Sequence, residues 1–241
     1  MKTTENKKNG ELLVFILMAI CSGVIIGVGG FAFLTSVALL GEWGRLIGGL
    51  LFSLGIFVIV TFEMRLFTGM VADIPEMKAK ELWKLAVCFI GNALGVALST
   101  CIAYCTPLGG VVSAQGAEVI ATKLQAENWA VSALCSSILC GVLITLSVKS
   151  AKAAPQKGLS ATVGVIFPIV VFAFCGFDHS VANMLYLYYL GEFSWQIVGY
   201  VLLTIAGNIL GGVALPLVLK YKNKLEKEQQ ENQENNENNE N

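Results

Sequence analysis

The chain has 241 residues, of which 55% are hydrophobic and only 14% are charged. Soluble domains carry about 25% charged residues, so this composition excludes an ordinary soluble globule and indicates several membrane-spanning segments. The formal net charge of −1 argues against nucleic acid as a partner. The seven cysteines form no paired CxxC motifs, so we expect no metal site and no cofactor.

Apolar runs predict an all-α polytopic membrane protein, because a bilayer crossing needs about 20 apolar residues. We expect a polar N-terminus over residues 1–11, a membrane domain over 12–220 and a disordered tail over 221–241, where Glu, Gln, Asn and Lys predominate. The first run is too long for a cleaved signal peptide. Six spans are predicted, at about 12–40, 46–74, 82–105, 129–150, 159–190 and 194–220.

The second and fifth spans are longer than one crossing requires and carry polar residues in mid-run. Glu63, Arg65 and Thr68 interrupt the second span, and Asp178 and His179 interrupt the fifth. Backbone that leaves a helix at membrane depth is tolerated only where it lines a cavity or packs on protein. We therefore predict that helices two and five are broken, and that Glu63 and Arg65 either pair or cap the break.

The basic residues predict the orientation of the spans. With both termini on the inner side, thirteen of the sixteen Lys and Arg residues fall inside, as the positive-inside rule requires for cytoplasmic loops. They are Lys2, Lys7, Lys8, Lys78, Lys80, Lys84, Lys149, Lys152, Lys157, Lys220, Lys222, Lys224 and Lys227. This distribution favours six spans with the N- and C-termini in the cytoplasm.

The chain repeats a pattern internally. Gly91–Leu98 in the third span and Gly207–Leu215 in the sixth both begin with Gly-Asn, and they are 116 positions apart. The same offset brings the polar cluster of span two onto that of span five. Each half then holds three spans, an odd number, so the halves must be inverted relative to each other. An inverted 3+3 repeat with broken helices meeting at the midplane is an architecture of channels and secondary transporters.

The only histidine, His179, lies within the apolar fifth span beside Asp178. Ionisable residues at membrane depth are costly and usually line a polar pathway. Around it, the segment Gly176–Met184 (GFDHSVANM), together with Leu66–Gly69 (LFTG) and Phe52–Gly55 (FSLG), resembles the signatures of the formate/nitrite transporter family. The resemblance covers about residues 12–220, and the chain is most similar to the hydrosulfide channel branch.

That resemblance implies an aquaporin-like protomer with its own pore, assembled as a homopentamer in the bacterial cell membrane and in contact with lipid. It implies passage of small monovalent anions such as hydrosulfide, formate and nitrite. By position, the pore residues are His179, Thr68, Lys123 near the outer mouth, and Asn183. The constriction residues are Phe52, Ile56, Leu66, Phe67 and Phe172. Asp178 stands where many members have Glu.

Other functions remain open from the sequence. A neutral-solute pore of aquaporin type shares the expected fold, although the chain has no Asn-Pro-Ala pair. A proton-coupled formate or lactate symporter fits the same residues as a channel. An enzyme is not expected, because one histidine cannot provide bis-His haem ligation and no two-carboxylate or Ser-His-Asp set is evident.

Overall fold

The computed structural model describes residues 2–153 and 159–240, and within them the regular structure is helical. Three residues lie outside the described residues: Met1 of the predicted N-terminus, Lys157 of the predicted inner basic set, and Asn241 of the predicted tail. The α-helices are α1 (Lys2–Leu39), α2 (Gly44–Thr61), α3 (Phe67–Val71), α4 (Trp83–Tyr104), α5 (Gly109–Gln125), α6 (Trp129–Ala153), α7 (Leu159–Cys175), α8 (Ala182–Leu190) and α9 (Trp195–Glu240).

In the described part of the chain, five helices are long and apolar enough to cross a membrane: α1, α2, α4, α6 and α9. The fifth predicted span is divided between α7, which is apolar but shorter, and α8. Many large apolar side chains of these helices point outward, as expected where lipid replaces water as the solvent. The second predicted span is likewise divided, between α2 and the single turn of α3.

Glycines allow close helix contacts in both halves of the chain. A Cβ on Gly95 of α4 would lie 2.0 Å from the Ile20 carbonyl oxygen of α1, and one on Gly211 of α9 would lie 1.9 Å from that of Ile138 in α6. Neither distance is possible for a side chain, so α1 packs on α4 and α6 on α9 only because these positions are glycine. In each pair the two helices run in parallel, since residue numbers rise together along the contact.

The helix directions define two ends of the molecule. α2 and α7 are antiparallel, because Gly49 contacts Val170, whereas the last turns of α2 share a cavity with Thr162 at the start of α7. α1 and α2 are also antiparallel, because Gly44 contacts Ser36, and α6 and α7 are antiparallel, because Gly164 contacts Ser150. The start of α1 and the ends of α2 and α9 therefore lie at the same end of the molecule, here called the inner end. The outer end holds the end of α1, the start of α9 and α5.

Two elements of the fold differ from the sequence-based expectation, helix α5 and the tail. Helix α5 was not predicted, because its Gly, Gln, Glu and Lys residues interrupt the apolar pattern; it packs against α8 at the outer end. The tail was predicted to be disordered, whereas α9 continues as a helix to Glu240. Residues such as Glu, Gln and Lys have high helix propensity, and pairs such as Lys222–Glu226 at 3.4 Å support a helix that α9 has already nucleated.

Candidate functional site

Two cavities enter the helix bundle from opposite ends. The outer cavity has a volume of about 280 Å³ and is lined by residues that include Phe52, Phe172 and His179. The inner cavity has a volume of about 550 Å³, and Ile56 and Leu66 contribute to its wall. The two cavities approach each other where the chain leaves helical geometry, between α2 and α3 and between α7 and α8.

A buried hydrogen-bonded pair lies between the cavities. The side chain of His179 is fully buried, and its Nε2 atom is 3.0 Å from the hydroxyl Oγ1 of Thr68, which is 2% exposed. The other ring nitrogen, Nδ1, accepts a hydrogen bond of 3.1 Å from the backbone N–H of Ala182. An amide N–H can only donate, so Nδ1 of a neutral ring carries no proton and Nε2 carries it. His179 Nε2–H therefore donates to Thr68 Oγ1.

Apolar side chains flank this pair on both sides. Phe52 and Phe172 meet edge to face with ring centroids 5.6 Å apart, and Phe172 lies 5.7 Å from the His179 ring. Ile56 and Leu66 are buried on the inner side. Phe67, which the resemblance assigns to the inner constriction, packs its ring on Phe89 at a centroid distance of 5.3 Å and lines neither cavity.

The carboxylate of Asp178 is 3% exposed and accepts hydrogen bonds from side chains of four helices, α5, α6, α8 and α9. Its Oδ1 accepts from Lys123 Nζ at 2.5 Å, from the Tyr200 hydroxyl at 2.6 Å and from Asn183 Nδ2 at 2.9 Å. Its Oδ2 accepts a short hydrogen bond from the hydroxyl of Ser136. A buried carboxylate needs such a set, because leaving it unpaired is very costly. The carboxylate thus braces the segment between α7 and α8 instead of contacting His179.

Lys123 is therefore part of the hydrogen-bonded network around Asp178. Besides Asp178, its ammonium group donates to the Gly176 carbonyl at 2.8 Å, where the backbone has the left-handed φ of 71°. The resemblance assigns Lys123 to a position near the outer mouth, and the structure gives it a carboxylate partner there. The nearby cation Arg45 also lines the outer cavity, and within the described residues it forms no ion pair. Glu118 is the acidic residue that faces the same cavity.

Two asparagines hold the non-helical segments in place. Asn92 of α4 accepts from the Phe67 N–H at 2.8 Å and donates to the carbonyls of Ala19 and Arg65, both at 2.8 Å. Asn208 of α9 accepts from the Ser180 N–H at 2.8 Å and donates to the carbonyls of Ser137 and Asp178, both at 2.9 Å. These amides satisfy backbone groups that would otherwise be orphaned where each helix ends.

Glu63 and Arg65 do not form the buried pair or cap that the sequence suggested. Both are exposed to the inner cavity, and Glu63 adopts a left-handed φ of 50°. The Arg65 guanidinium lies 5.9 Å above the Phe15 ring, within the range of a cation–π contact. Arg65 thereby adds a positive charge to the inner cavity.

The structure brings His179, Thr68, Asn183 and Lys123 to one region, with Asn183 and Lys123 in the Asp178 network and the other two in the central pair. Sequence reasoning missed Ser136 and Tyr200, which complete that network. Serine and tyrosine are ordinary residues of apolar helices, and nothing in their spacing distinguishes these two from others.

These features define a polytopic membrane protein in which a polar centre lies between two cavities. The formate/nitrite transporter family model matches residues 1–222, so the chain belongs to the formate/nitrite transporter family. It is 28% identical over 236 residues to the uncharacterized transporter YrhG of Bacillus subtilis (strain 168), covering 87% of this chain and 85% of that protein. It is 26% identical to the formate channel FocA of Escherichia coli (strain K12), over 69% of this chain and 62% of that one.

Solved structures share the fold. A pentameric formate channel with formate bound matches with a TM-score of 0.73 and 21% identity, covering 88% of this chain and 96% of that one. A structure described as an FNT family ion channel matches with a TM-score of 0.74 and 23% identity, covering 90% and 92%. The chain is thus an integral membrane protein of a family whose named relatives are channels or transporters.

Proposed function

We propose that each protomer is a channel for small monovalent anions, with formate, hydrosulfide and nitrite as the candidates. The observation that carries this proposal is the buried Thr68–His179 pair between two cavities, closed on either side by apolar rings. The relatives that carry the name formate channel, and the related pentamer with formate bound, favour formate as the first anion to test. Hydrosulfide remains the expectation from the sequence.

The chemistry at the centre follows from desolvation. A bare anion that enters a narrow apolar ring loses its water and gains little in return, at a cost of several kcal/mol. The Phe52–Phe172 contact on one side and Ile56 with Leu66 on the other would block unassisted ions. Because Thr68 Oγ1 accepts from His179, its own hydroxyl proton is left to donate to an anion that reaches the centre. His179 can also donate directly once an anion displaces Thr68.

We infer that the fold is the inverted 3+3 repeat, with helices two and five broken. The matched roles of Asn92 and Asn208 support this inference. Each amide accepts from a backbone N–H between or at the start of the helices that flank a break (Phe67 or Ser180) and donates to the carbonyl two residues earlier, and each also reaches the neighbouring parallel helix. The pairing of α1 with α4 and of α6 with α9 through equivalent glycines follows the same relation.

The outer cavity supplies the charge that draws anions. Lys123 is neutralised by Asp178, so we assign most of the attraction at this end to Arg45, with Arg65 in the corresponding position at the inner end. A cation that faces a cavity with low-dielectric walls raises the local concentration of anions near it, and Glu118 at the outer cavity and Glu63 at the inner cavity offset part of this attraction.

We further propose a homopentamer in the bacterial inner (cell) membrane, with the inner end of each protomer in the cytoplasm. The pentameric structure that shares the fold supports the assembly. The concentration of lysines at the inner end supports the orientation, by the positive-inside rule.

The test is flux into proteoliposomes of formate, hydrosulfide and nitrite, with glycerol as the neutral solute, across pH 5 to 8 for the wild type and His179→Asn. We expect anion flux in the wild type, no glycerol flux, and a strongly altered rate or pH dependence in the variant. A pH dye inside the vesicles separates a channel from a proton-coupled symporter. Glycerol flux without anion flux would overturn the proposal in favour of an aquaporin-type pore.

A further inference from the structure

A groove at the inner end of the molecule lies apart from both pore cavities. It has a volume of about 730 Å³ and is formed by the last turns of α6 and the part of α9 beyond Pro216. Four lysines face it, and we call it the lysine groove after them: Lys149, Lys220, Lys224 and Lys227. Glu76 is the one carboxylate among the described residues that line it.

The four lysines are arranged around one space and not merely scattered along the surface. Lys220, Lys224 and Lys227 are spaced by four and three residues, which places them on one face of α9. Lys149 faces them from α6. The Lys220 ammonium donates to the Pro75 carbonyl at 2.5 Å, Lys149 Nζ lies 3.3 Å from Asp73 Oδ1, and Lys224 Nζ lies 3.5 Å from Glu228 Oε1 on the exposed surface of α9. Topology requires only that lysines lie on the cytoplasmic side; it does not require four of them around a common groove.

The groove is located at the boundary of the membrane. From Trp195 to Leu219, α9 has the length of about 37 Å that follows from 1.5 Å per residue, slightly more than a hydrocarbon core of about 30 Å. Next to the lysines, Leu217 is 51% exposed and Tyr221 is 64% exposed, and both line the groove. Charged and apolar surfaces thus adjoin where lipid headgroups meet acyl chains.

We propose that the lysine groove binds an anionic phospholipid, with its phosphate among the lysines and its acyl chains along Leu217 and the apolar face of α9. A soluble phosphate would use only the charges, whereas an amphiphile uses both surfaces. Basic pockets on the cytoplasmic side of membrane helices suit anionic headgroups, and each lysine near the surface adds about a factor of five in affinity. This site does not depend on which solute the pore passes.

The test uses the full-length protein, purified and exchanged into detergent with no added lipid. Dioleoylphosphatidylglycerol is titrated in, and retained lipid is counted by native mass spectrometry, with dioleoylphosphatidylcholine and inorganic phosphate as the comparison probes. The variant is Lys224→Gln/Lys227→Gln. The matched control is Lys78→Gln/Lys80→Gln, which removes the same charge from exposed positions at the same end but outside the groove. Size-exclusion elution checks that each variant is folded.

We expect phosphatidylglycerol to bind the wild type and the control alike, and about 30-fold more weakly to the groove variant, with little retention of phosphatidylcholine. Equal phosphatidylglycerol retention by all three proteins would overturn the proposal. Displacement of phosphatidylglycerol by millimolar inorganic phosphate would also overturn it, because the groove would then be a site for a soluble anion.

Discussion

The substitution Thr68→Val tests the central pair with little change of shape. Valine keeps the volume of threonine but removes the oxygen that accepts from His179 Nε2 at 3.0 Å and the hydroxyl proton that we assign to the passing anion. A hydrogen bond to a charged group contributes about 1.5–3 kcal/mol. If that bond forms only when the anion is at the centre, its loss raises the barrier by the same amount and slows flux by about 10- to 150-fold.

Stopped-flow uptake of formate into proteoliposomes measures this effect, with protein content matched between preparations. Thr68→Ser is the control, because it keeps the hydroxyl and loses one methyl group; its flux should stay within about threefold of the wild type. If Thr68→Val conducts as fast as Thr68→Ser, the hydroxyl takes no part in the rate-limiting step and the proposed mechanism fails.

Two further predictions concern the outer end. Lys123→Met leaves the buried Asp178 carboxylate without its cation and should cost about 3–5 kcal/mol of stability, seen as a lower thermal unfolding midpoint in detergent. Lys123→Met/Asp178→Asn should recover most of that loss. Equal unfolding midpoints for the single and double variants would show that the Lys123–Asp178 ion pair does not stabilise the fold. Arg45→Gln should slow formate uptake about three- to tenfold at 10 mM salt, with the difference vanishing near 1 M, while Arg45→Lys stays near the wild type. A salt-independent deficit would show that Arg45 acts through packing.

The sequence singles out His179, because a lone ionisable residue in an apolar span has few structural uses, and its role in a pore stays a prediction. Thr68 was a different case. Threonine is common in membrane helices, and only the resemblance to a family singled it out. Its bond to His179 joins residues 111 positions apart, and it depends on two helix ends meeting between the cavities. Neither the composition nor the apolar periodicity of the sequence indicates such a long-range contact.

Lys123 shows why the electrostatics were harder to predict. Only the resemblance assigns it a position near the outer mouth, and its partner was not predicted, because Lys123 reaches Asp178 from α5 and the apolar pattern does not reveal α5. The tail is the opposite case. Its low hydrophobicity predicts that it buries no core, and residues 221–233 are exposed, yet the same residues have high helix propensity and continue a helix that the membrane part begins.

The two halves, related as we propose, share a scaffold and differ in chemistry. If Asn92 and Asn208 are equivalent, the residue flanked by their hydrogen-bonded groups is Leu66 in one half and His179 in the other. The scaffold therefore offers two central positions, and only one is polar. On the proposed path, an anion from the outer cavity would pass the Phe52–Phe172 contact and then meet His179, whereas one from the inner cavity would pass Ile56 and Leu66. The proposed barrier is therefore asymmetric, although the two halves would be related by the repeat. Exchanging the outer and inner solutions should accordingly alter how steeply flux depends on anion concentration.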